Sequence, residues 1–110
     1  MTVSELTDRL NLEVVASGDE SREVTGGYCG DLLSWVMGRA QAGDAWITVM
    51  GNVNAVAVAV LADVACILLA EDSPFDEEAA ARAQAQQVAV RRSPKTGYAL
   101  AVELSRILPA

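Results

Sequence analysis

The stretch that decides the fold is Gly51 to Asp72, GNVNAVAVAVLADVACILLAED. It admits two readings. Val56, Val58 and Val60 alternate with alanines, the period of a strand, which would make the segment one arm of a hairpin. Val53, Ala57, Val60 and Val64 also line one face of a helix. Topology arbitrates between them. Ala45–Met50, AWITVM, carries the strongest strand signal in the chain, rich in β-branched and aromatic residues. Ala65–Leu69, within ACILLA, is apolar throughout, as strands covered on both faces are. If these two are parallel neighbours, a crossover of about a dozen residues must join them, and Asn52 to Asp63 has that length. The segment reads as a buried Ala/Val helix, with the hairpin as the alternative.

Working outward, Ser4 is placed to cap a short helix over Glu5–Leu10, with Thr7 as a second possible start. LEVVAS follows as a first strand and GDESRE as a polar turn. Val24–Tyr28 reads as extended and runs into Gly30-Asp31, where Asp31 is a candidate N-cap. Leu32, Leu33, Val36, Met37 and Ala40 then share one helical face. On the other side of the deciding stretch, Pro74 and Asp76 announce a helix in DEEAAARAQAQQ, with acids in its first turn. Val88–Val90 is a short strand, and Thr96–Leu108 closes the chain with Leu100, Ala101, Leu104, Ile107 and Leu108 on one face. Strand alternating with helix gives an α/β single domain over residues 1–110 with a mainly parallel sheet.

Composition narrows the function classes. The chain is 52% hydrophobic but only 5% aromatic, so the core is expected to be built from small, closely packed side chains. Fifteen acidic against eight basic residues give a net charge of -7, which argues against nucleic acid or an anionic membrane as partner, since both need a basic face. The apolar run from Ala55 to Ala62 is cut by Asp63, well short of the ~20 residues of a spanning helix. The polar N-terminus has no signal-peptide profile, and a cytoplasmic protein is expected. There is no histidine, and Cys29 and Cys66 form no CxxC pair, so no metal site and no cofactor are expected.

In an open parallel sheet, ligands sit outside the carboxyl ends of the strands. Four strand-to-helix junctions are expected there: Gly26-Gly27-Tyr28-Cys29-Gly30-Asp31, Gly51-Asn52-Val53-Asn54, Ala70-Glu71-Asp72-Ser73 and Arg91-Arg92-Ser93-Pro94-Lys95-Thr96. The candidate ligand-binding residues are Gly26, Gly27, Asn52, Asn54, Ser93 and Thr96: glycines for close backbone approach, asparagines and hydroxyls to read polar groups. Turn and capping chemistry alone also enriches such loops in these residues. No GxxxxGK[ST] or GxGxxG is present, so nucleotide hydrolysis is not supported. Cys29 near a helix N-terminus would be a candidate nucleophile, but with no histidine as base a small residue in a tight turn is the plainer reading. Glu71 and Asp72 form an adjacent acid pair. Arg91, Arg92 and Lys95 are the one dense positive cluster, suited to an anionic ligand or an acidic partner surface. Trp46 reads as core or dimer contact and Trp35 as an interface residue.

From about Val24 to Leu108, most of the chain, the order and spacing of GGYCGDLLSWVMG, AWITVMGNVN, ACILLAED and SPKTGYALAVEL resemble the DRTGG-domain family. The similarity is to its stand-alone, HPr-serine-kinase-like group. The resemblance implies a three-layer α/β fold like the amino-terminal domain of HPr kinase/phosphorylase. It also implies a non-catalytic regulatory or ligand-sensing role, a homodimer, and a redox (hydrogenase-type) or signalling partner in anaerobes. A small anionic or nucleotide-like ligand is the expected effector, and an assembly subunit with no small ligand is the alternative. The family places Gly-Asp-Arg after the central strand and Thr-Gly-Gly after the next; here those positions read Gly51-Asn52-Val53 and Ala70-Glu71-Asp72. Only Gly51 matches, and the literal TGG of Thr25–Gly27 lies one strand too early. The kinase activity does not carry over, because the P-loop is missing.

Overall fold

The Gly51–Asp72 stretch folds as a helix followed by a strand. In the computed structural model, which describes residues 1–108, the chain runs α1 (Val3–Arg9), β1 (Glu13–Ala16), β2 (Gly26–Cys29), α2 (Leu33–Arg39), β3 (Asp44–Thr48), α3 (Val53–Ala62), β4 (Cys66–Leu69), α4 (Glu77–Ala85), β5 (Ala89–Arg92) and α5 (Gly97–Ile107). One five-stranded sheet has the order β1-β5-β4-β3-β2. The four strands β2 to β5 are parallel to their neighbours, and β1 joins β5 antiparallel. Each crossover therefore advances one strand, which keeps α2, α3 and α4 side by side on one face.

The strands separate two apolar clusters. Trp46, Ile67, Leu69 and Val90 point to α2–α4 and meet Val36, Ala55, Val56, Ala59, Ala79 and Ala83. Ala45, Ile47, Cys66, Leu68 and Ala89 point the other way, to Val3, Leu6 and Leu10 of the α1 end and Leu100 and Leu104 of α5. The result is the expected three-layer α/β fold with a mainly parallel sheet. Every residue of β3 and β4 is buried, which is why neither shows an alternating pattern. Burying an Ile or Leu side chain contributes about 1.5–3 kcal/mol, so Ile67, Leu68 and Leu69 anchor the centre of the sheet.

Local details depart from the sequence reading in instructive ways. α1 starts earlier than expected: Thr2, not Ser4, is the N-cap, with Glu5 closing a capping box. Asp31 is not the cap of α2. Leu32 occupies that position without a side-chain cap bond, because Asp31 is drawn to the end of β3 instead. Of the five residues expected on the buried face of α2, only Val36 is buried; Leu32 and Met37 are exposed. α2 covers the sheet's edge, where there is less to pack against. Strand β5 runs to Arg92, past the expected Val90, and carries Arg91 into the interior.

Candidate functional site

The parallel register brings the ends of β2, β3, β4 and β5 to one side of the sheet. There Asp31 ties two junctions together: its Oδ1 accepts from the Thr48 hydroxyl at 2.7 Å and from the Val49 amide at 3.0 Å. The Trp46 indole donates to the Gly30 carbonyl at 2.8 Å, fixing the same loop from below. Across the rim, the Ala70–Ser73 turn is clamped to the β5–α5 loop, with the Glu71 amide donating to Lys95 O at 2.8 Å and the Asp72 amide to Ser93 O at 2.9 Å. Between these ties lies a polar-rimmed hollow of about 150 Å³ lined by Cys29, Asp31, Thr48, Glu71 and Gly97. A larger, mainly apolar cavity of about 360 Å³ runs between β2 and α5, lined by Gly27, Cys29, Ile47, Ala101, Leu104 and Leu108. Cys29 and Ile47 line both, so the two spaces lie side by side.

Gly27 is what keeps the larger cavity open, since a Cβ there would come within 2.9 Å of Leu104 Cδ2. Gly26 and Gly27 lie inside β2 and not in a loop after it; Gly26 pairs with Asp44, at the amino end of the strands. The first junction therefore begins at Gly30. Asn52 caps α3, its Oδ1 accepting from the Ala55 amide at 3.1 Å. It lines a separate hollow of about 240 Å³ with Met50, Gly51, Pro74 and Asp76. Asn54 is exposed on α3. Ser93 is buried and its hydroxyl accepts from the Lys95 amide at 3.1 Å. Thr96 caps α5 by accepting from the Ala99 amide at 3.1 Å. Of the six candidates, Ser93 and Thr96 flank the rim, Gly27 lines the adjoining apolar cavity, and Gly26, Asn52 and Asn54 lie outside both spaces. Asp31 and Thr48, which sequence reading did not single out as ligand residues, are central. The only hint of Asp31's role was an acid just after a glycine, which also describes a cap.

The basic cluster is already occupied. Arg91 is fully buried: its Nε donates to the Thr7 hydroxyl at 2.8 Å, Nη1 to Ala16 O at 2.6 Å, and Nη2 pairs with the Glu20 carboxylate at 3.0 Å. It holds β1 and the following loop, and the site does not see it. Arg92 makes a two-pronged pair with Glu13, at 3.1 and 2.8 Å, and Lys95 pairs with Glu103 at 2.6 Å. The expected open cationic receptor is thus replaced by three satisfied ion pairs. Cys29 sits in β2 and not at a helix N-terminus; partial burial, and then the charge of Asp31, push its pKa up. That is the opposite of what a nucleophilic thiol needs. Cys66 is core, its thiol pushed by burial up to about 12. Among the described residues no group of three His, Cys, Asp or Glu side chains is arranged to hold a metal ion, and no helix is long and apolar enough to cross a membrane.

No family model and no curated protein matches the chain. Among solved structures, it is similar to the CBS and DRTGG domains of the regulatory region of Clostridium perfringens pyrophosphatase, solved in complex with the activator diadenosine tetraphosphate. The TM-score is 0.74 at 13% identity, covering 98% of this chain and 47% of that one. The chain spans about half the length of that structure. At this identity the likeness is one of architecture: the fold is CBS/DRTGG-like.

Proposed function

We propose that this chain is a non-catalytic regulatory domain that senses a small ligand in the paired cavities between β2, β3 and the start of α5. The observation that carries the reading is an apolar space and a polar-rimmed one lying side by side, with Cys29 and Ile47 lining both. Such a pair fits a ligand with a flat apolar part and a polar end, a nucleoside or nucleotide in chemical class. The apolar part would lie against Ile47, Ala101 and Leu104. Donor groups of the polar end, such as sugar hydroxyls, would meet the Asp31 carboxylate and Thr48. An anionic group would have to keep clear of Asp31 and Glu71, at the backbone of Gly97, where the dipole of α5 favours negative charge. An anionic tail would have to draw Lys95 away from Glu103, which gives binding a structural consequence at α5. The likeness to a regulatory region that binds a nucleotide activator supports this reading, as does a thiol held in its unreactive form. The partner receiving the signal is, on the resemblance, a redox (hydrogenase-type) or signalling protein.

Thermal-shift and calorimetric titration with adenosine, ATP and diadenosine tetraphosphate tests it. A ligand present at a hundred times its Kd adds about 2.7 kcal/mol, a rise of several degrees in Tm. Gly27→Val should abolish the rise by filling the apolar cavity, while Asn52→Ala with Asn54→Ala should keep it. The reverse pattern would move the site to the Asn52 hollow. A flat screen would reject ligand sensing in favour of an assembly subunit, the reading favoured by the half-exposed Trp35 and by Leu61, 69% exposed.

A further inference from the structure

The polar-rimmed hollow is lopsided in its hydrogen-bonding character. Four backbone amides in its lining are already donating: Gly30 to Ile47 O, Val49 to Asp31 Oδ1, Ala70 to Thr48 O and Glu71 to Lys95 O. The Thr48 hydroxyl gives its proton to Asp31 Oδ1 and accepts from the Met50 amide. What remains is mostly acceptor. Both bonds to Asp31 fall on Oδ1, so Oδ2 keeps its lone pairs. Glu71, exposed on the same rim, forms no ion pair among the described residues. A donor remains at Gly97, whose amide, as the first of α5, has no partner within the helix.

The cations that could reverse this balance are committed elsewhere. Among the described residues no lysine or arginine lines either space. Lys95, on the neighbouring loop, gives its ammonium to both oxygens of Glu103, at 2.8 and 2.6 Å. Arg92 is held by Glu13. A phosphate brought here faces Asp31 and Glu71 with nothing to neutralise it. Even turned toward solvent, a phosphate on a sugar held by Asp31 stays within about one screening length, roughly 8 Å at physiological salt. This local repulsion adds to that of a chain of net charge -7. A hydroxyl suits the lining better than either kind of ion. It donates to a carboxylate and accepts from an amide, whereas an ammonium can only donate.

We infer that the polar hollow selects an uncharged, hydroxyl-bearing end, so that the ligand is a free nucleoside and phosphorylating it weakens binding. This rests on the paired-cavity reading above and names the ligand within it. The base lies against Ile47 and Leu104, and the sugar hydroxyls reach Asp31 Oδ2 and the Gly97 amide. Asp31 and Glu71 then determine specificity: the first holds the sugar, and both repel the phosphate.

The experiment is calorimetric titration of the full chain with adenosine, 2′-deoxyadenosine, AMP, ATP and tryptamine, at low and at physiological salt. Adenosine should bind at least about tenfold more tightly than AMP or ATP, and the gap should narrow as salt is added. Deoxyadenosine should bind about tenfold more weakly than adenosine, for want of one hydroxyl on a charged acceptor. Asp31→Asn keeps an oxygen for Thr48 and Val49 but turns a donor toward the ligand, so adenosine should weaken about tenfold while AMP does not. Glu71→Gln should narrow the gap between adenosine and AMP. Glu78→Gln, exposed on α4 and lining neither space, should leave that gap as it is, which separates local charge from net charge. AMP or ATP binding more tightly than adenosine, with Gly27→Val abolishing it, overturns the inference and leaves the paired-cavity reading standing. So does tighter binding of tryptamine, which would give the hollow to a cation, or a gap that neither Asp31→Asn nor Glu71→Gln changes. No binding by any of the five rejects the reading and the inference together.

Discussion

Three backbone positions around the site explain what the resemblance left unmatched. Glu71 and Asp72 have φ of 56° and 55°, consecutive left-handed residues at the centre of a turn closed by the Ser73 amide on Ala70 O. These are the two positions where the resemblance implies Gly-Gly, and the glycine-type conformation is kept although the residues are acidic. No sequence rule flags such a turn, because Glu and Asp ahead of a helix read equally well as solvated or capping acids. Gly51, the one matching residue, is needed for space: a Cβ there would land on the Pro74 carbonyl, while Gly51 O accepts from the Asp76 amide at 2.8 Å. A left-handed residue with a side chain costs roughly 1–2 kcal/mol, and glycine returns about 0.5–1 kcal/mol of that as chain entropy. Glu71→Gly should therefore stabilise the protein by about 0.5–1 kcal/mol in urea titration, and Gly51→Ala should destabilise it by ~2 kcal/mol or more. A loss of stability in Glu71→Gly would mean that the carboxylate, and not only the turn, holds the rim.

At the scale of elements, the central strands and the helices that cross between them were legible in the sequence because burial there is complete. AWITVM and ACILLA need no period when both faces are covered, and the length of Asn52–Asp63 chose the crossover over the hairpin. The misreadings fall at the sheet's edge and at its ends. Gly26-Gly27 reads as part of the extended run Val24–Tyr28, and is so, but it also reads as the start of the junction after that run. It lies within the edge strand, where glycine meets no partner strand on its outer side. The face of α2 looks wide, yet a helix at the edge buries only Val36. Arg91 looks like surface charge, yet it replaces a core residue of β5 by satisfying five acceptors at once. The asparagines of α3 separate the capping reading from the ligand reading. Asn52 holds the Ala55 amide, so Asn52→Ala should cost about 1 kcal/mol. Asn54 is exposed inside the helix, so Asn54→Ala should be neutral or stabilising by a few tenths of a kcal/mol through helix propensity. Paired urea midpoints measure both, and an equal cost would give Asn54 a contact that its exposure does not suggest.

For the whole molecule, the charge arrangement predicts a stability plateau with two limbs. Hydrogen bonds from Arg92 hold Glu13 below its usual range, the capping box does the same for Glu5, and Ser21 for Asp19. Acids with depressed folded values contribute in full above their unfolded values, 4.5 for Glu and 3.8 for Asp, and lose that contribution as pH falls through the lower folded ones. The acid limb should thus begin below pH 4.5, and Glu13→Gln should make it shallower. The alkaline limb has one buried source. Cys66 ionises at 9.0 when unfolded, but burial holds its thiol protonated up to about 12. Stability from keeping it neutral is complete below pH 9 and drains away as pH rises from there toward 12, because the unfolded chain gives up the proton first. With no histidine in the chain, no side chain with an unperturbed pKa near 6.5 interrupts the plateau between these limbs. Urea midpoints taken from pH 3 to pH 11 should stay level between about 5 and 8, the ordinary value of the Met1 amino group that Glu23 holds charged to higher pH, and fall on both sides. Cys66→Val should flatten the alkaline fall, because an apolar side chain of similar size fills the same core space without a proton to lose. An alkaline limb unchanged in Cys66→Val would assign it instead to the Met1 amino group and to Cys29, whose pKa values are also raised in the fold, and the buried thiol would then be silent in folding.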